Sequence, residues 1–224
     1  MNTKSFLLAF FSLTIVYAHA QTAKWDSTYR PGIYDFEVGL FNSYPNSTKD
    51  IIFLGNSITA RNDWNELLQM PNVRNRGISG DITFGVLDRL DEVIEGHPAK
   101  VFVLVGINDI SRNIPDSVIL HNYKRIIDRI KAGSPQTKIY FQTLMPVNNT
   151  FTQFKSHYNK DEHIAAVNEG LKKLGAQEHI TVIDLHPHFL DSEGRLKKEY
   201  TLDGLHPNAA GYAVWKKILL PYLK

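Results

Sequence analysis

The chain has 224 residues, 43% hydrophobic and 21% charged, a composition that supports one packed core and excludes collagen-like, coiled-coil and wholly disordered chains. Lys and Arg number 25 against 23 Asp and Glu, and the resulting formal charge of +2 is too near neutrality for a nucleic-acid binder or a polybasic membrane clamp. With no Cys, the chain can build no disulfide scaffold, thiolate zinc site, iron–sulfur cluster or cysteine nucleophile.

Residues 1–20 read as a cleaved export signal. Lys4 supplies the positive start, Ser5 to Tyr17 the apolar stretch, and Ala18-His19-Ala20 the small-x-small cleavage site. That stretch is shorter than the roughly 20 residues needed to span a bilayer, so no stable membrane anchor is expected. Export without disulfides fits the periplasm or exterior of a bacterium. Residues 21–49, rich in Tyr, Asn, Ser and Pro, read as an arm packed on the domain formed by residues 50–224; Ile33, Phe36, Val38, Leu40 and Phe41 give the arm a partly periodic apolar patch.

Beyond the arm, short β-branched runs alternate with helical patterns. Ile51–Leu54, Val101–Val105, Ile139–Phe141 and Ile180–Ile183 predict strands buried on both faces, with a weaker strand around Val73. Between them, Val86, Leu87, Leu90, Val93 and Ile94 predict one helix ending near Gly96-His97-Pro98. A second carries Val118, Tyr123, Ile126, Ile127 and Ile130 and stops at Gly133-Ser134-Pro135; a third carries Ile164, Val167, Leu171 and Leu174 and stops before Gly175. The last runs from about Asn208 to Leu223. This alternation predicts an α/β fold with a parallel sheet, in which ligands bind outside the C-terminal ends of the strands.

Four segments fall in that region or on a late loop: Gly55-Asn56-Ser57-Ile58-Thr59, Asn75-Arg76-Gly77-Ile78-Ser79-Gly80-Asp81, Gly106-Ile107-Asn108-Asp109 and Asp203-Gly204-Leu205-His206-Pro207-Asn208. A serine hydroxyl becomes a good nucleophile when a base takes its proton and a third group orients that base. Asp203 and His206, three residues apart on a turn, can pair through Nδ1 and leave Nε2 facing a serine from another loop. Ser57, just after the first strand, is such a serine. Gly80 can bring a backbone N–H close to substrate, and Asn108 can add its side-chain amide.

The four segments, in this order over residues 51 to 211, resemble the sequence blocks of the SGNH hydrolases, also called the GDSL lipase/esterase family. The resemblance implies a three-layer α/β/α flavodoxin-like sandwich with a roughly five-stranded sheet. It implies Ser57 as nucleophile, His206 as general base and Asp203 as its orienting acid. The backbone N–H groups of Ser57 and Gly80 and the Asn108 amide would form the oxyanion hole, with no metal and no organic cofactor. One position departs from the family: Asn56 stands where Asp usually precedes the nucleophile. Members include carbohydrate O-acetylesterases, acetylhydrolases of the platelet-activating-factor type and lysophospholipases, so a small-molecule or carbohydrate ester is the expected substrate.

Each residue also has a plainer reading. Ser57 could cap the following helix, Gly80 could serve only a turn, and Asn108 could form an Asx-turn. Asp81 and Asp109 read as turn or cap residues. Asp184, His186 and His188 could bind a metal if His-x-His lay on a strand, although structural roles are favoured. His121, His157, His163 and His179 show no identifiable partner. Val147–Tyr158 and Phe189–Tyr200 are the expected substrate-contacting loops. A non-catalytic carbohydrate-binding protein on the same fold remains an alternative. A nucleotide-binding domain is disfavoured by the lack of G-x-G-x-x-G and of a P-loop.

Overall fold

The computed structural model describes residues 25–224, and the expected export signal lies outside them. Five strands, β1 (Ile51–Gly55), β2 (Val73–Gly77), β3 (Lys100–Leu104), β4 (Lys138–Gln142) and β5 (Thr181–Ile183), form one sheet in the order β2-β1-β3-β4-β5. Every pair is parallel. The helices are α1 (Tyr34–Ser43), α2 (Ser57–Ala60), α3 (Trp64–Leu68), α4 (Thr83–Asp88), α5 (Leu90–Glu95), α6 (Ile107–Ser111), α7 (Asp116–Gly133), α8 (Asp161–Gln177), α9 (His186–Phe189) and α10 (Ala209–Leu223).

β1 and β3 carry continuous apolar runs because both of their faces are covered. On one face the register aligns Phe53 with Phe102 and Phe102 with Tyr140, and the rings stack at 5.0 and 4.6 Å between centroids. Trp64 of α3 stacks on Phe53 at 4.2 Å, and Trp215 of α10 meets Trp64 edge-on at 4.7 Å. This aromatic layer fastens α3 and α10 to the sheet. α4, α5, α7 and α8 form a contiguous group in which Tyr123 of α7 packs against Phe141 of β4.

Four local expectations need correction. The helix expected through Val86 and Ile94 is two helices, broken at Arg89, the residue whose guanidinium turns inward to Asp81 and the Gly55 carbonyl. α8 does not stop before Gly175 but runs on to Gln177. The glycine is there because a Cβ would lie 2.3 Å from Val182 Cγ2, where the helix crosses β5 closely. β5 is an edge strand with only Ile183 buried, so it is not covered on both faces. His186 and His188 lie on α9 and not on a strand, which removes the shared face that His-x-His would need. His186 Nδ1 meets the Leu144 carbonyl at 2.9 Å, and Asp184 pairs with Lys172 at 2.9 Å. Among the described residues no group of three or more His, Asp or Glu is placed to hold a metal.

The arm segment contains α1, which covers a small apolar cluster of Tyr34, Phe41 and Ile78. The Phe41 and Tyr44 rings lie over the Arg76 guanidinium at 4.9 and 5.5 Å, and the Tyr34 hydroxyl donates to the Gly85 carbonyl at 2.7 Å. Arg76 in turn forms a buried ion pair with Glu92 at 2.5 Å. Two charges out of water survive only as a pair, and removing one strands the other. Glu92→Leu is expected to cost about 3 kcal/mol in denaturant unfolding, with Arg76→Met/Glu92→Leu recovering most of it. A double variant as unstable as the single one would contradict this account.

Candidate active site

The connections after β1, β2 and β3 all leave from the same edge of the sheet, as parallel pairing requires. The chain moves outward from β1 to β2 and then returns to the other side of β1 with β3, so the connections after β1 and β3 diverge at a topological switch point. Ser57 lies at the start of α2 after β1. Gly80 follows β2, and Asn108 lies on α6 after β3. Asp203 and His206 come from the turn before α10. Ser57, Gly80, Asn108 and His206 line one cavity of about 460 Å³, and Asp203 stands behind His206.

Ser57 is not the helix cap: Asn56 holds that position, its side chain accepting from the Ile58 N–H at 3.0 Å. The Ser57 hydroxyl is therefore free of capping duty and lies 2.9 Å from His206 Nε2. His206 Nδ1 lies 2.8 Å from Asp203 Oδ2. An ionised carboxylate can only accept, so Nδ1 carries the hydrogen and Nε2 is the bare nitrogen that accepts from Ser57. The other Asp203 oxygen accepts from the backbone N–H groups of His206 at 2.8 Å and Leu205 at 3.0 Å, which locks the carboxylate. Burial pushes the Asp203 carboxyl up, and these hydrogen bonds together with His206 outweigh it, leaving it below the ordinary carboxylate value.

His206 is pulled below its ordinary value by burial first, against the upward pull of Asp203, with the nearby Arg61 cation adding to the depression. Arg61 Nη1 donates to Asp203 Oδ2 at 3.3 Å from an exposed position. The shift favours the neutral ring, whose Nε2 can accept a proton.

Gly80 has φ +85, in the left-handed region that glycine tolerates. Neither its N–H nor that of Ser57 donates to an acceptor among the described residues. The Asn108 amide donates from Nδ2 to the Asp81 carbonyl at 2.8 Å.

Behind these groups lie buried charges that sequence reading placed only as turn or cap residues. Asp81 pairs with Arg89 at 3.0 Å and is fully buried. Asp109 accepts from both the backbone N–H and the hydroxyl of Thr83, fixing the start of α4 from another loop. Burial pushes Asp109 up to about 7 despite those hydrogen bonds.

His157 was expected to have no partner, yet its Nε2 lies 2.9 Å from Asn108 Oδ1, and it lines the site cavity. Only its place within the expected loop Val147–Tyr158 could have flagged it. Phe154 and Ser156 of that loop also line the cavity, and Phe154 meets the His206 ring edge-on at 4.9 Å. The other expected loop, Phe189–Tyr200, contributes nothing to this cavity, and its Phe189 is core. His163 likewise has a partner, Asp116 at 3.1 Å.

The model of the GDSL-like lipase/acylhydrolase family matches residues 53–214, which include Ser57, Gly80, Asn108, Asp203 and His206. The chain belongs to that family. The enzymes of this family hydrolyse esters. The chain is similar to the rat platelet-activating factor acetylhydrolase IB subunit alpha2, 27% identical over 170 residues, or 73% of this chain and 71% of the relative. A solved structure from Streptococcus pneumonia, provisionally described as a platelet activating factor, is 31% identical with a TM-score of 0.76, covering 86% of this chain and 91% of that one. A Bacteroides fragilis acylhydrolase structure, also provisionally described, is 25% identical with a TM-score of 0.76, over 84% and 94%. The parallel five-stranded sheet with flanking helices is the fold of these GDSL-like neighbours.

Removing the Arg61 charge should make His206 easier to protonate. In an NMR titration His206 should ionise below 6.5 in the wild type and at higher pH in Arg61→Gln. Because Arg61 is exposed, the difference should shrink as salt rises from about 0.05 to about 0.5 M. A downward shift, or none at low salt, would refute the assigned electrostatics.

Proposed function

We propose that this GDSL-family enzyme is an exported serine esterase that removes short acyl groups, acetyl foremost, from hydroxyl-rich alcohols such as carbohydrates. The observation that carries the reading is the hydrogen-bonded line from Ser57 through His206 to Asp203, opening on a cavity of about 460 Å³. Ser79, Ser111, Ser156, Arg61 and Arg112 line that cavity together with Pro31, Leu205 and the rings of Tyr29 and Phe154, a lining of mixed polar and apolar surface. The modest volume suits a small acyl group, and the hydroxyl and guanidinium groups of the lining suit a polyhydroxylated leaving group. The rat relative is named an acetylhydrolase, which agrees with a short acyl group. Among the described residues no helix is long and apolar enough to cross a membrane. Export rests on the leader at residues 1–20, with cleavage after Ala20.

In this mechanism His206 Nε2 takes the Ser57 proton as Oγ attacks the ester carbonyl carbon, and the carbonyl π pair moves onto oxygen. The Ser57 and Gly80 N–H groups and one Asn108 N–H hold that oxyanion. Collapse expels the alcohol oxygen, which takes the proton from His206, and leaves an acyl ester on Ser57. Water, deprotonated by His206, attacks the acyl carbon in turn. The acid leaves and the proton returns to Ser57. Asp203 stays ionised throughout, orienting the ring and stabilising its cation.

Initial rates on p-nitrophenyl esters from acetyl to dodecanoyl test the reading. They should fall steeply beyond butyryl, and Ser57→Ala should abolish them. A profile peaking at long chains would replace it with a lysophospholipase-like activity, and the absence of any Ser57-dependent rate would leave a carbohydrate-binding protein. Asn108→Ala should lower kcat by roughly 10²- to 10³-fold while the protein stays folded. Near-normal turnover would remove Asn108 from the oxyanion hole.

A further inference from the structure

An asparagine amide serves an oxyanion hole only if its NH2 end, and not its oxygen, faces the developing charge. The two ends are nearly identical in shape, so something must hold the group against a half-turn. Around Asn108 the partners settle the orientation. The Asp81 carbonyl can only accept, and the amide atom 2.8 Å from it must therefore be Nδ2. Oδ1 then faces His157 Nε2 at 2.9 Å, which must carry the hydrogen. The bare nitrogen of His157 is consequently Nδ1, and the Ser156 hydroxyl, 3.2 Å away, donates to it. Hydrogens thus point in one direction from Ser156 to His157 to Asn108 to Asp81. One Nδ2 hydrogen of Asn108 is left with no acceptor among the described residues, in the cavity that Ser57 and Gly80 share.

We propose that His157 is a positioning residue for the oxyanion hole, holding the Asn108 amide by its oxygen so that an N–H stays directed at the reacting carbonyl. The proposal deepens the serine esterase reading and rests on it. A flipped amide would set Oδ1 against the Asp81 carbonyl and an N–H against the His157 N–H, two repulsive contacts, so the pair of partners selects one orientation. Burial, with His206 and Arg112 nearby, depresses His157 to about 4, so the ring is neutral at working pH, and the Asn108 oxygen facing Nε2 selects the tautomer. Its donated bond also polarises the amide and makes the free N–H a better donor. The ring touches no reacting atom; it acts through Asn108.

The test is a double-mutant cycle on acetyl ester hydrolysis, with Ser57→Ala as the control that the rate belongs to this site. His157→Ala should lower kcat about 10- to 100-fold with KM changed less than about twofold, the signature of an interaction made in the transition state. His157→Gln, whose amide N–H can reach Asn108 Oδ1, should recover most of the loss. In an Asn108→Ala background the same His157→Ala change should alter kcat less than about threefold, because the residue it acts through is gone. Losses that multiply in the double variant, or full activity in His157→Ala, overturn the proposal. If wild type and Ser57→Ala are equally inactive, the esterase reading itself fails. Nitrogen-15 NMR of the wild type gives an independent readout: His157 should be the Nε2–H tautomer, and an Nδ1–H tautomer overturns the assigned relay whatever the activity.

Discussion

Parallel pairing sends every strand of this sheet out through the same edge. That constraint governs where the chemistry sits. With β1 and β3 side by side and the connections that leave them diverging, to β2 on one side and to β4 on the other, three loops separated by tens of residues meet at one place. Nothing local to Ser57, Gly80 or Asn108 brings them together. Their meeting follows from the strand order, and the last connection, closing over the edge through α10, brings Asp203 and His206 to the same spot. The Tyr212 hydroxyl of α10, donating to the Ile58 carbonyl at 2.7 Å, ties that final connection to the helix that presents Ser57.

The loops at such an edge are irregular backbone near the core, and their polar groups need partners. The chain meets this need with buried charge. Arg89 breaks a helix to reach both Asp81 and the Gly55 carbonyl, which joins the ends of the first two connections. Asp109, next to Asn108, reaches Thr83 and joins the third connection to α4, and Asn122 of α7 adds a bond to the same Thr83 hydroxyl at 2.9 Å. The cost of dehydrating these groups is offset by at least two hydrogen bonds to each side chain. The geometry in front of them is thereby held by a rigid support and not by the loops' own preferences.

Much of this was legible in the sequence because it was written locally. β1 and β3 are apolar runs rich in β-branched residues, α7 is a periodic helix ended by Gly133-Ser134-Pro135, and Asp203 and His206 pair across one turn. Ser57 and Asn108 stood out by directly following strands. The errors and omissions share a different origin. Arg89 breaks a periodic pattern for a tertiary contact that periodicity cannot register. Gly175, which looked like a stop, is a point of close passage between a helix and a strand. His157 meets a residue 49 positions away, from a stretch with no regular pattern. Phe189 looked like a loop aromatic and is core. In each case the deciding contact is tertiary, made outside the residue's own element, and a single sequence carries no direct mark of it.

The segment Phe154–Tyr158 has a consequence of its own. Phe154 packs on the His206 ring, His157 holds Asn108, and the Tyr158 hydroxyl donates to the Asp203 carbonyl at 2.5 Å. Five residues built around one short 3-10 turn, Lys155 and Ser156 among them exposed, therefore touch His206, Asp203 and Asn108 at once. Local opening of such a strap requires far less free energy than opening the sheet. Heat would then silence the enzyme before it melts the fold, and the silenced molecules would recover on cooling because their core had never come apart.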